Sequence, residues 1–532
     1  MAPFSSLLDF KDTVTLANRL DRLPLAIVIA GAFMRETGTN IAEYLLYYHE
    51  YWSELQRQSN PGRQYHQGNM LQTWMISYRE IQKRDPNAAE LLLLLARFDN
   101  RDIWYELVKS GCQSSYVPAW LERATSSGIS FKIAVKNLIG FSLLEAKKQG
   151  GGYTMHPVVQ DWCIHLVNTD QNVNATQLNE LALISVGFTV PSSREINYCE
   201  LQQRLIPHAN YVRRESLSGD SFAVWEAYYY LGDLYSDQGK LKEAEEMYQR
   251  ALAGKEKGLG PDHTSTLNTV GNLGLLYSNQ GKLKEAEEIY QRAMAGYEKA
   301  LGPDHTSTLK TVNNLGNLYR DQGKLKEAEE MYQRALAGKE KALGPDYTST
   351  LKTVGNLGIL YSNQGKLKEA EKMYQRALEG FEKALGPDHT STLNTIDNLG
   401  NLYKDQGKLK EAEEMYRRAL EGFEKALGPD HSFAVSTVNS LGNLYEDQGK
   451  LKEAEELYQR ALAGKEKALG QQHTSTLNAV DNLGSLYSDQ GKQVELEKIN
   501  HAGLPGSQAV HLNSSIARRA MERLARKFKN RG

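Results

Sequence analysis

The 42 residues of Thr264–His305 read TSTLNTVGNLGLLYSNQGKLKEAEEIYQRAMAGYEKALGPDH. Apolar side chains recur at helical spacing in the first half of this stretch, and the segment Gln280–Lys282 interrupts them. Gly281 predicts the end of a helix there, because glycine adopts the left-handed conformation easily. A second helical pattern follows and ends at Gly302-Pro303, where proline prevents its continuation. The stretch therefore predicts a hairpin of two helices.

The same pattern returns seven times, at intervals of 42 residues. Each copy has a Leu-Gly pair, a Tyr three residues later, and then Gln-Gly-Lys. The glycines of the Leu-Gly pairs are Gly232, Gly274, Gly316, Gly358, Gly400, Gly442 and Gly484. Repetition at this period predicts a solenoid, in which each unit packs on its neighbours and the array presents one long surface. Such a surface is suited to binding rather than to catalysis.

The loops between units contain Asp-His pairs, which could suggest a series of metal sites. These pairs are Asp262-His263, Asp304-His305, Asp388-His389 and Asp430-His431. The pattern is interrupted, because Tyr347 follows Asp346 and because Gln471-Gln472 precedes His473. We therefore predict no metal site and expect these loops to cap helices, with Asp262 or Thr264 as the cap of the quoted unit.

Two other features of the unit are interpreted as scaffold. Tyr277 and Tyr290 lie on the apolar stripes of the two helices, so we expect both tyrosines to be buried in the core. The recurring LKEAEE segments are interpreted as solvated helix faces of mixed charge.

The order Leu-Gly, Tyr, Ala, Tyr, Ala over residues 221–492 resembles the signature of the tetratricopeptide repeat (TPR). The usual period of that repeat is 34 residues, and eight more would add about one turn to each helix. The longer unit, with its Leu-Gly-Pro-Asp-His loop, is similar to the repeat of kinesin light chains and of many fungal TPR proteins. The resemblance implies a mainly α fold, a TPR superhelical solenoid of helical hairpins with seven repeats over residues 221–500.

In TPR proteins the first helix of each hairpin lines the concave face. The residue just before the Leu-Gly pair would point into that groove, and it is most often asparagine: Asn272, Asn314, Asn356, Asn398 and Asn482, with Ser440 as the exception. An amide both donates and accepts hydrogen bonds, so it can hold a peptide backbone without selecting a sequence. The row resembles the asparagine ladder by which TPR proteins hold extended peptides.

Selectivity would come from positions that differ between repeats. Lys310, Lys352 and Arg320 would form a basic spot in the middle repeats. Further candidates for the groove follow the Leu-Gly pair directly: Asn317, Asn401 and Asn443. Three acidic residues would make the later repeats negative: Asp397, Asp405 and Asp447. The alternative interpretation is that all of these are solvated polar residues without a ligand.

Residues 1–220 do not repeat. Two β-prone runs, Phe141–Ala146 and Tyr153–His156, flank the glycine-rich segment Lys147–Gly152 and predict a β-hairpin. Helical segments precede this hairpin, so the sequence suggests a helical, winged-helix region with a small β-hairpin ahead of the solenoid.

Two short motifs in this region resemble the NB-ARC class of STAND ATPases found in fungal NOD-like receptors. Leu23-Pro24-Leu25-Ala26 is similar to the end of a Gly-Leu-Pro-Leu-Ala motif whose proline packs on adenine, although Arg22 stands in place of glycine. Met155-His156-Pro157 is similar to a Met-His-Asp motif whose histidine reaches a phosphate, although Pro157 replaces the aspartate. The resemblance implies that Pro24 and His156 are vestigial nucleotide contacts. The alternative is that Pro24 starts a helix and His156 ends a strand.

This resemblance implies a division of the chain. We expect a helical NB-ARC remnant (ARC1-like) at 1–55, an ARC2-like winged helix at 65–170, a helical linker at 171–220, the repeats at 221–500, and a linker with a basic amphipathic tail at 501–532. The tail would cap the solenoid, be disordered, or touch an acidic partner or a membrane surface.

A phosphate-binding loop requires Gly-x-x-x-x-Gly-Lys-Ser/Thr, and every Gly-Lys pair in the turns is followed by Leu or, after Lys492, by Gln. We therefore expect neither catalysis nor a cofactor, and ADP or ATP only in a longer relative that has such a loop. The formal net charge of −2 does not suggest a nucleic-acid partner. Three scattered cysteines, no apparent signal peptide, and no apolar run long enough to span a bilayer favour the cytoplasm.

The sequence thus predicts a protein-interaction scaffold or sensor that binds partner proteins or extended peptides, derived from a NOD-like receptor switch. Two alternatives remain open, a cargo adaptor similar to a kinesin light chain and a truncated part of a nucleotide-regulated STAND ATPase. The oligomeric state is not predicted.

Overall fold

A computed structural model describes residues 12–18, 20, 24–48, 68–114, 116–148, 150–170, 172–192, 198–214, 220–469 and 474–492. Contacts divide the chain into two compact units, Met1–Ile289 and Tyr290–Gly532, and each unit is described by itself. The predicted amphipathic tail lies outside the described residues. The predicted division into five segments stays a prediction.

The first part of unit Met1–Ile289 is mainly helical. Residues 12–18 and 41–48 are helical, and the other helices are Pro24–Thr37, Gly68–Arg84, Pro86–Leu95, Tyr105–Lys109, Ala119–Thr125, Gly128–Gly140, Pro157–Thr169, Ala175–Phe188 and Tyr198–Val212, with a 3₁₀ turn at Ser110–Gln113. Apolar side chains of these helices form one core with the helix Phe222–Asp237 of the first repeat. The segment that we predicted as a linker is therefore packed on the repeats that follow it.

The predicted β-hairpin is present and is short. Its strands Glu145–Ala146 and Tyr153–Thr154 are antiparallel, with Glu145 opposite Thr154 and Ala146 opposite Tyr153. The carboxylate of Asp102 lies beside the hairpin, 3.1 Å from Lys147 Nζ and 2.7 Å from Nε of Arg204 in the helix Tyr198–Val212. One half-buried carboxylate thus connects the hairpin to the segment leading into the repeats.

The repeats are helical hairpins with a first helix of 16 residues and a second helix of 19. The first helices are Phe222–Asp237, Thr264–Asn279, Thr306–Asp321, Thr348–Asn363, Thr390–Asp405, Ser432–Asp447 and Thr474–Asp489. The second helices are Leu241–Leu259, Leu283–Leu301, Leu325–Leu343, Leu367–Leu385, Leu409–Leu427 and Leu451–Leu469. The predicted mainly α solenoid of hairpins is confirmed.

Two glycines of the repeated phrase have different physical roles, shown here by Gly358 and Gly365. A Cβ on Gly358 would lie 2.7 Å from Cε1 of the buried Tyr374, so this glycine allows the two helices of a hairpin to touch. Gly365 has φ +73°, the left-handed conformation in which side chains are strained, and it ends the first helix as predicted.

Histidine, rather than Asp262 or Thr264, caps the quoted unit. Nδ1 of His263 accepts a hydrogen bond of 3.2 Å from the N–H of Ser265, and Thr264 is already helical. The same bond recurs at His305, His389 and His431. The expectation that these loop residues serve helix capping is confirmed, but the identity of the capping side chain was wrong. An imidazole acceptor two residues ahead of the N–H replaces the expected carboxylate or hydroxyl.

The Gln-Gly-Lys segment also joins consecutive repeats. Gln364 Nε2 and Lys366 Nζ reach the same carboxylate, that of Glu329 in the second helix of the preceding repeat, at 3.1 and 3.4 Å. The equivalent bonds recur at Glu245, Glu371 and Glu413. The hydrogen bond from Gln406 and the charge of Lys408 lower the pKa of Glu371. One glutamate of each such segment, which reads LKEAEE or, at residues 367–372, LKEAEK, is therefore a contact between repeats and not simply a solvated charge.

The two tyrosines expected in the core differ in burial. Tyr290 is buried, as predicted, with the conserved pattern repeated at Tyr332, Tyr374, Tyr416 and Tyr458. Tyr277 is only half-buried, and the ammonium of Lys282 lies 5.0 Å from its ring centroid. Tyr277 therefore packs against the core as expected, but the core does not enclose it fully.

Candidate peptide-binding face

The predicted asparagine row lies on the first helices and is half-buried. Nδ2 of Asn356 donates to Oδ1 of Asn313 at 3.3 Å, and Nδ2 of Asn482 donates to Oδ1 of Asn439 at 2.8 Å. Each bond connects one first helix to the first helix of the preceding repeat. These amides therefore support the array, and their place in a peptide groove stays a prediction.

Asn398 is placed differently from Asn356. The residue 43 positions earlier is Gly355, which has no side chain, and a Cβ there would meet nothing within 4 Å. Within the described residues of Tyr290–Gly532, the side chains of Asn314 and Asn398 make no hydrogen bond. Their amide groups are the members of the row that remain open to a ligand in this unit.

The asparagines that follow the Leu-Gly pairs are held by buried tyrosines. The hydroxyl groups of Tyr332, Tyr416 and Tyr458 donate to Oδ1 of Asn317, Asn401 and Asn443, at 2.6, 2.7 and 2.7 Å. Asn401 also donates to the backbone and side chain of Asp397. Each tyrosine thus fixes the orientation of one amide on the first helix.

Asp233 occupies the corresponding position in the first repeat. Its Oδ1 accepts from the hydroxyl of Tyr248 at 2.6 Å and from Nδ2 of Asn272 at 2.9 Å. Burial raises the pKa of Asp233 to about 6. Because folding then favours the protonated acid, stability should fall as the pH rises from about 4 to 6.

We expect Asp233→Asn to stabilise the first repeat at pH 7 by about 1–3 kcal/mol, since the amide keeps the acceptor for Tyr248 and removes a buried charge. At pH 4 the variant and the wild type should be equally stable. Thermal unfolding at the two pH values measures this difference, with Glu288→Gln, at an exposed position of the same unit, as the control. A gain of equal size at both pH values would contradict the assignment.

The three cations predicted as a basic spot are not equivalent. Lys310 and Lys352 are exposed on consecutive first helices, and neither forms an ion pair with a described residue. Arg320 is half-buried, and its guanidinium binds Oδ1 of the neighbouring Asp321 at 2.8 Å. Lys310 and Lys352 are therefore the available charges of this spot, and Arg320 is already partly neutralised.

The acidic residues expected in the later repeats are also partly engaged. Asp397 accepts from the hydroxyl of Thr437 at 2.8 Å, and burial raises the pKa of its carboxyl group. Asp447 lies 3.9 Å from Nζ of Lys404, and Asp405 is exposed. Only part of the predicted negative charge is thus free to meet a ligand.

A functional candidate that the sequence analysis missed is Lys339, on the second helix Leu325–Leu343. The side chain is 3% exposed, and Nζ donates to Oγ1 of Thr353 at 2.8 Å and to the carbonyl oxygen of Ser349 at 3.3 Å. The equivalent residues of neighbouring repeats are the buried aromatics Tyr297 and Phe381. A lysine at a core position was the signal available in the sequence.

Pro24 and His156 both lie at helix starts. Pro24 is the first residue of Pro24–Thr37. Nδ1 of the exposed His156 accepts a hydrogen bond of 3.3 Å from the N–H of Val158 and caps Pro157–Thr169. Their proposed vestigial contact with a nucleotide stays a prediction.

The described residues contain no group of three His, Cys, Asp or Glu side chains that could hold a metal ion. No described helix combines the length and the apolar character needed to cross a membrane. A surface depression of about 580 Å³ is lined by the second helices Leu409–Leu427 and Leu451–Leu469 and by the first helix Ser432–Asp447, and Arg417 and Arg460 already bind Tyr445 and Glu424 there.

Comparison with known families agrees with the geometry of the hairpins. The family model described as tetratricopeptide repeat matches residues 224–299, 265–341, 347–425 and 432–495. The repeats are tetratricopeptide repeats. The TPR fold accounts for the close contact at the Leu-Gly glycines and for the row of polar residues on the first helices.

One curated relative is much longer than this chain. A nucleotide-binding leucine-rich repeat (NLR)-like protein of Hyaloscypha variabilis is 29% identical over 272 residues, which are 49% of this chain and 26% of that protein. The chain thus spans about a quarter of the length of this curated relative. About half of this chain therefore resembles part of a larger protein.

Two solved structures are also similar. A STAND protein with a tetratricopeptide repeat sensor from Pyrococcus horikoshii covers 90% of this chain and 65% of its own, with a TM-score of 0.52 and 16% identity, and it shows the shared fold. The nearly identical TPR-like repeats of a putative kinesin light chain from Podosopora anserina are 26% identical, over 40% of this chain and 99% of theirs, with a TM-score of 0.33.

Proposed function

We propose that this TPR protein is a non-enzymatic interaction protein that binds an extended segment of a partner protein along the face of its first helices. The observation that carries the proposal is the row of half-buried amides on successive first helices. Asn314 and Asn398 are open to a ligand, while Asn356 and Asn482 hold the row in register. Amides in this arrangement can pair with the N–H and C=O groups of a peptide backbone.

The positive charges of Lys310 and Lys352 favour a peptide that has acidic residues opposite these two lysines. Lys310 and Lys352 are exposed on neighbouring first helices and are not neutralised by described carboxylates. A net charge of −2 for the whole chain gives no general attraction for nucleic acid, so the proposed partner is a protein.

We further propose that the chain derives from a receptor switch of the NOD-like type and works in the cytoplasm without a cofactor. The similarity to an NLR-like protein and the helical region ahead of the TPR array support this origin. Cys112 and Cys163 are free thiols, which suits a reducing compartment.

The test is recovery of partners from a cell extract with the immobilised full chain. Simultaneous reversal of Lys310, Lys352 and Arg320 to glutamate should lower the recovery of specific partners at least fivefold. The alanine pair Asn314→Ala and Asn398→Ala should do the same, without loss of stability, because neither amide bonds within its unit. Recovery should fall because the alanine side chains can no longer form hydrogen bonds with the backbone of the bound peptide.

The matched control reverses three exposed lysines of the second helices, namely Lys326, Lys368 and Lys410. This triple variant has the same change of net charge and lies away from the proposed face, so it should recover partners like the wild type. Equal recovery by all variants would refute the groove model, and equal loss in both charge-reversed proteins would indicate a non-specific charge effect.

A further inference from the structure

One core position of the second helices alternates between an aromatic residue and a lysine. In successive repeats it is Lys255, Tyr297, Lys339, Phe381, Phe423 and Lys465. The lysines Lys255 and Lys339 are as buried as the aromatic residues, at 1% and 3% exposure. A buried ammonium group needs a counter-charge, because burial removes its hydration.

Lys255 has that counter-charge within the chain. Its Nζ lies 2.7 Å from Oε1 of Glu226, and the hydroxyl of Ser265 donates to the same oxygen at 2.7 Å. Nζ also donates to Oγ1 of Thr269 at 3.1 Å. The first repeat thus contains a complete carboxylate site, built from a buried lysine and a serine hydroxyl, and the carboxylate of Glu226 fills it.

The site around Lys339 has the same donors and no acid. Thr353 and Ser349 correspond to Thr269 and Ser265, each 84 residues later, and Lys339 Nζ bonds to Thr353 in the same way. The residue that corresponds to Glu226 is Lys310. No described carboxylate forms an ion pair with Lys339.

Two further cations surround this position. Burial lowers the pKa of Lys339 to about 8, and the nearby charges of Lys352 and Lys310 lower it further in the same direction. Three lysines therefore converge where the first repeat balances one lysine with one carboxylate. Lys465 differs, because the residues that correspond to Lys310 and Lys352 are Ser436 and Asn478.

We propose that Lys339, Ser349, Lys310 and Lys352 form a binding site for a carboxylate group of an acidic peptide. Lys339 and the Ser349 hydroxyl would hold the carboxylate as Lys255 and Ser265 hold Glu226. Lys310 and Lys352 would contact neighbouring acidic groups of the same peptide at the surface. The inference rests on the proposed peptide-binding function and specifies the chemistry of its ligand.

The experiment measures binding of a fluorescein-labelled hexaglutamate peptide to the full chain by fluorescence anisotropy, with a hexaglutamine peptide as the control. Lys339→Met should weaken hexaglutamate binding at least tenfold, because it removes a charge-assisted bond at the centre of the site. Lys465→Met, the matched control at the same repeat position, should change the affinity less than twofold.

Lys310→Glu supplies a second, independent readout. Its carboxylate should bind Lys339 as Glu226 binds Lys255, which would both raise the thermal midpoint and reduce hexaglutamate binding at least tenfold. Lys310→Gln should weaken binding without raising the midpoint. A midpoint that falls in Lys310→Glu would show that the pocket around Lys339 does not accept a carboxylate.

Three results would overturn the proposal: hexaglutamate binding unchanged in Lys339→Met, equal binding of hexaglutamine, or a phosphoserine peptide of equal net charge that binds tenfold more tightly than hexaglutamate. Partner recovery separates this proposal from the general function. If Lys339→Met recovers partners normally while the Asn314 and Asn398 alanine pair does not, the groove model stands and the carboxylate site fails. If hexaglutamate binds as expected and no variant changes partner recovery, the carboxylate site stands and the groove model fails.

Discussion

Lys339→Met is expected to stabilise its repeat at pH 7 by about 3 kcal/mol, whereas Lys255→Met is expected to destabilise its own by about 3–5 kcal/mol. Lys339 is a buried cation without a carboxylate, and burial lowers its pKa to about 8. Lys255→Met would instead leave Glu226 without the cation that lies 2.7 Å away. The same substitution therefore has opposite signs at two equivalent positions.

The pH dependence of the stabilisation by Lys339→Met follows from the lowered pKa of Lys339. Between pH 8 and about 10.5 the unfolded chain holds the proton of Lys339 more tightly than the folded chain does, so wild-type stability rises with pH in this range. The advantage of Lys339→Met should therefore be largest below pH 8 and vanish near pH 10.5.

Hydrogen exchange of the helices Leu325–Leu343 and Leu241–Leu259 is the suitable measurement, because repeat arrays open locally and not in one transition. Lys326→Met, an exposed position at the start of Leu325–Leu343, is the control for the change of residue type and should leave exchange nearly unchanged. Faster exchange of Leu325–Leu343 in Lys339→Met would mean that the bonds to Thr353 and Ser349 outweigh the cost of burying the charge.

Gly358→Ala and Gly355→Ala should also have opposite effects, although the two glycines lie three residues apart on the helix Thr348–Asn363. A Cβ at 358 would lie 2.7 and 2.8 Å from two ring atoms of the buried Tyr374, so the ring or the helix would have to shift. We expect overpacking to cost about 1–3 kcal/mol. A Cβ at 355 meets nothing within 4 Å, so the higher helix propensity of alanine should stabilise by about 0.5–1 kcal/mol.

Denaturant unfolding of the two variants measures the difference, and far-ultraviolet circular dichroism confirms that both remain helical. The double variant Gly358→Ala with Tyr374→Leu should recover part of the loss, because the shorter side chain makes room for the methyl group. Equal stability of the two alanine variants would show that the hairpin tolerates a wider separation than the contact at Tyr374 indicates.

The repeated sequence predicted the hairpins, their turns and the burial of Tyr290, because these features depend on local periodicity and on glycine. The β-hairpin at Glu145–Thr154 was also predictable, since a glycine-rich segment separates two β-prone runs. His263 was not predicted as a cap, because imidazole is an unusual capping acceptor and the neighbouring Asp262 and Thr264 are common ones.

The candidate face was predictable only in part. The position of the asparagine row follows from the Leu-Gly pairs, but the partner of each amide depends on the residue 43 positions earlier. Asn356 meets an asparagine there, while Asn398 meets Gly355. Lys339 was missed because its role depends on a helix of the next repeat, where Thr353 and Ser349 lie. Such contacts appear only when the packing between repeats is known.

The contact from each Gln-Gly-Lys turn to a glutamate of the preceding repeat has an evolutionary consequence. Gln364 and Lys366 reach Glu329 with the same spacing by which Gln406 and Lys408 reach Glu371. A recombination event that deletes or duplicates 42 residues therefore joins surfaces that already match. The number of repeats can change in one step. The same event would add, remove or shift Lys310, Lys352 and Lys339, because these residues lie within the exchanged repeats. A change in copy number would therefore alter the set of side chains that the first helices expose, without a compensating mutation in the scaffold.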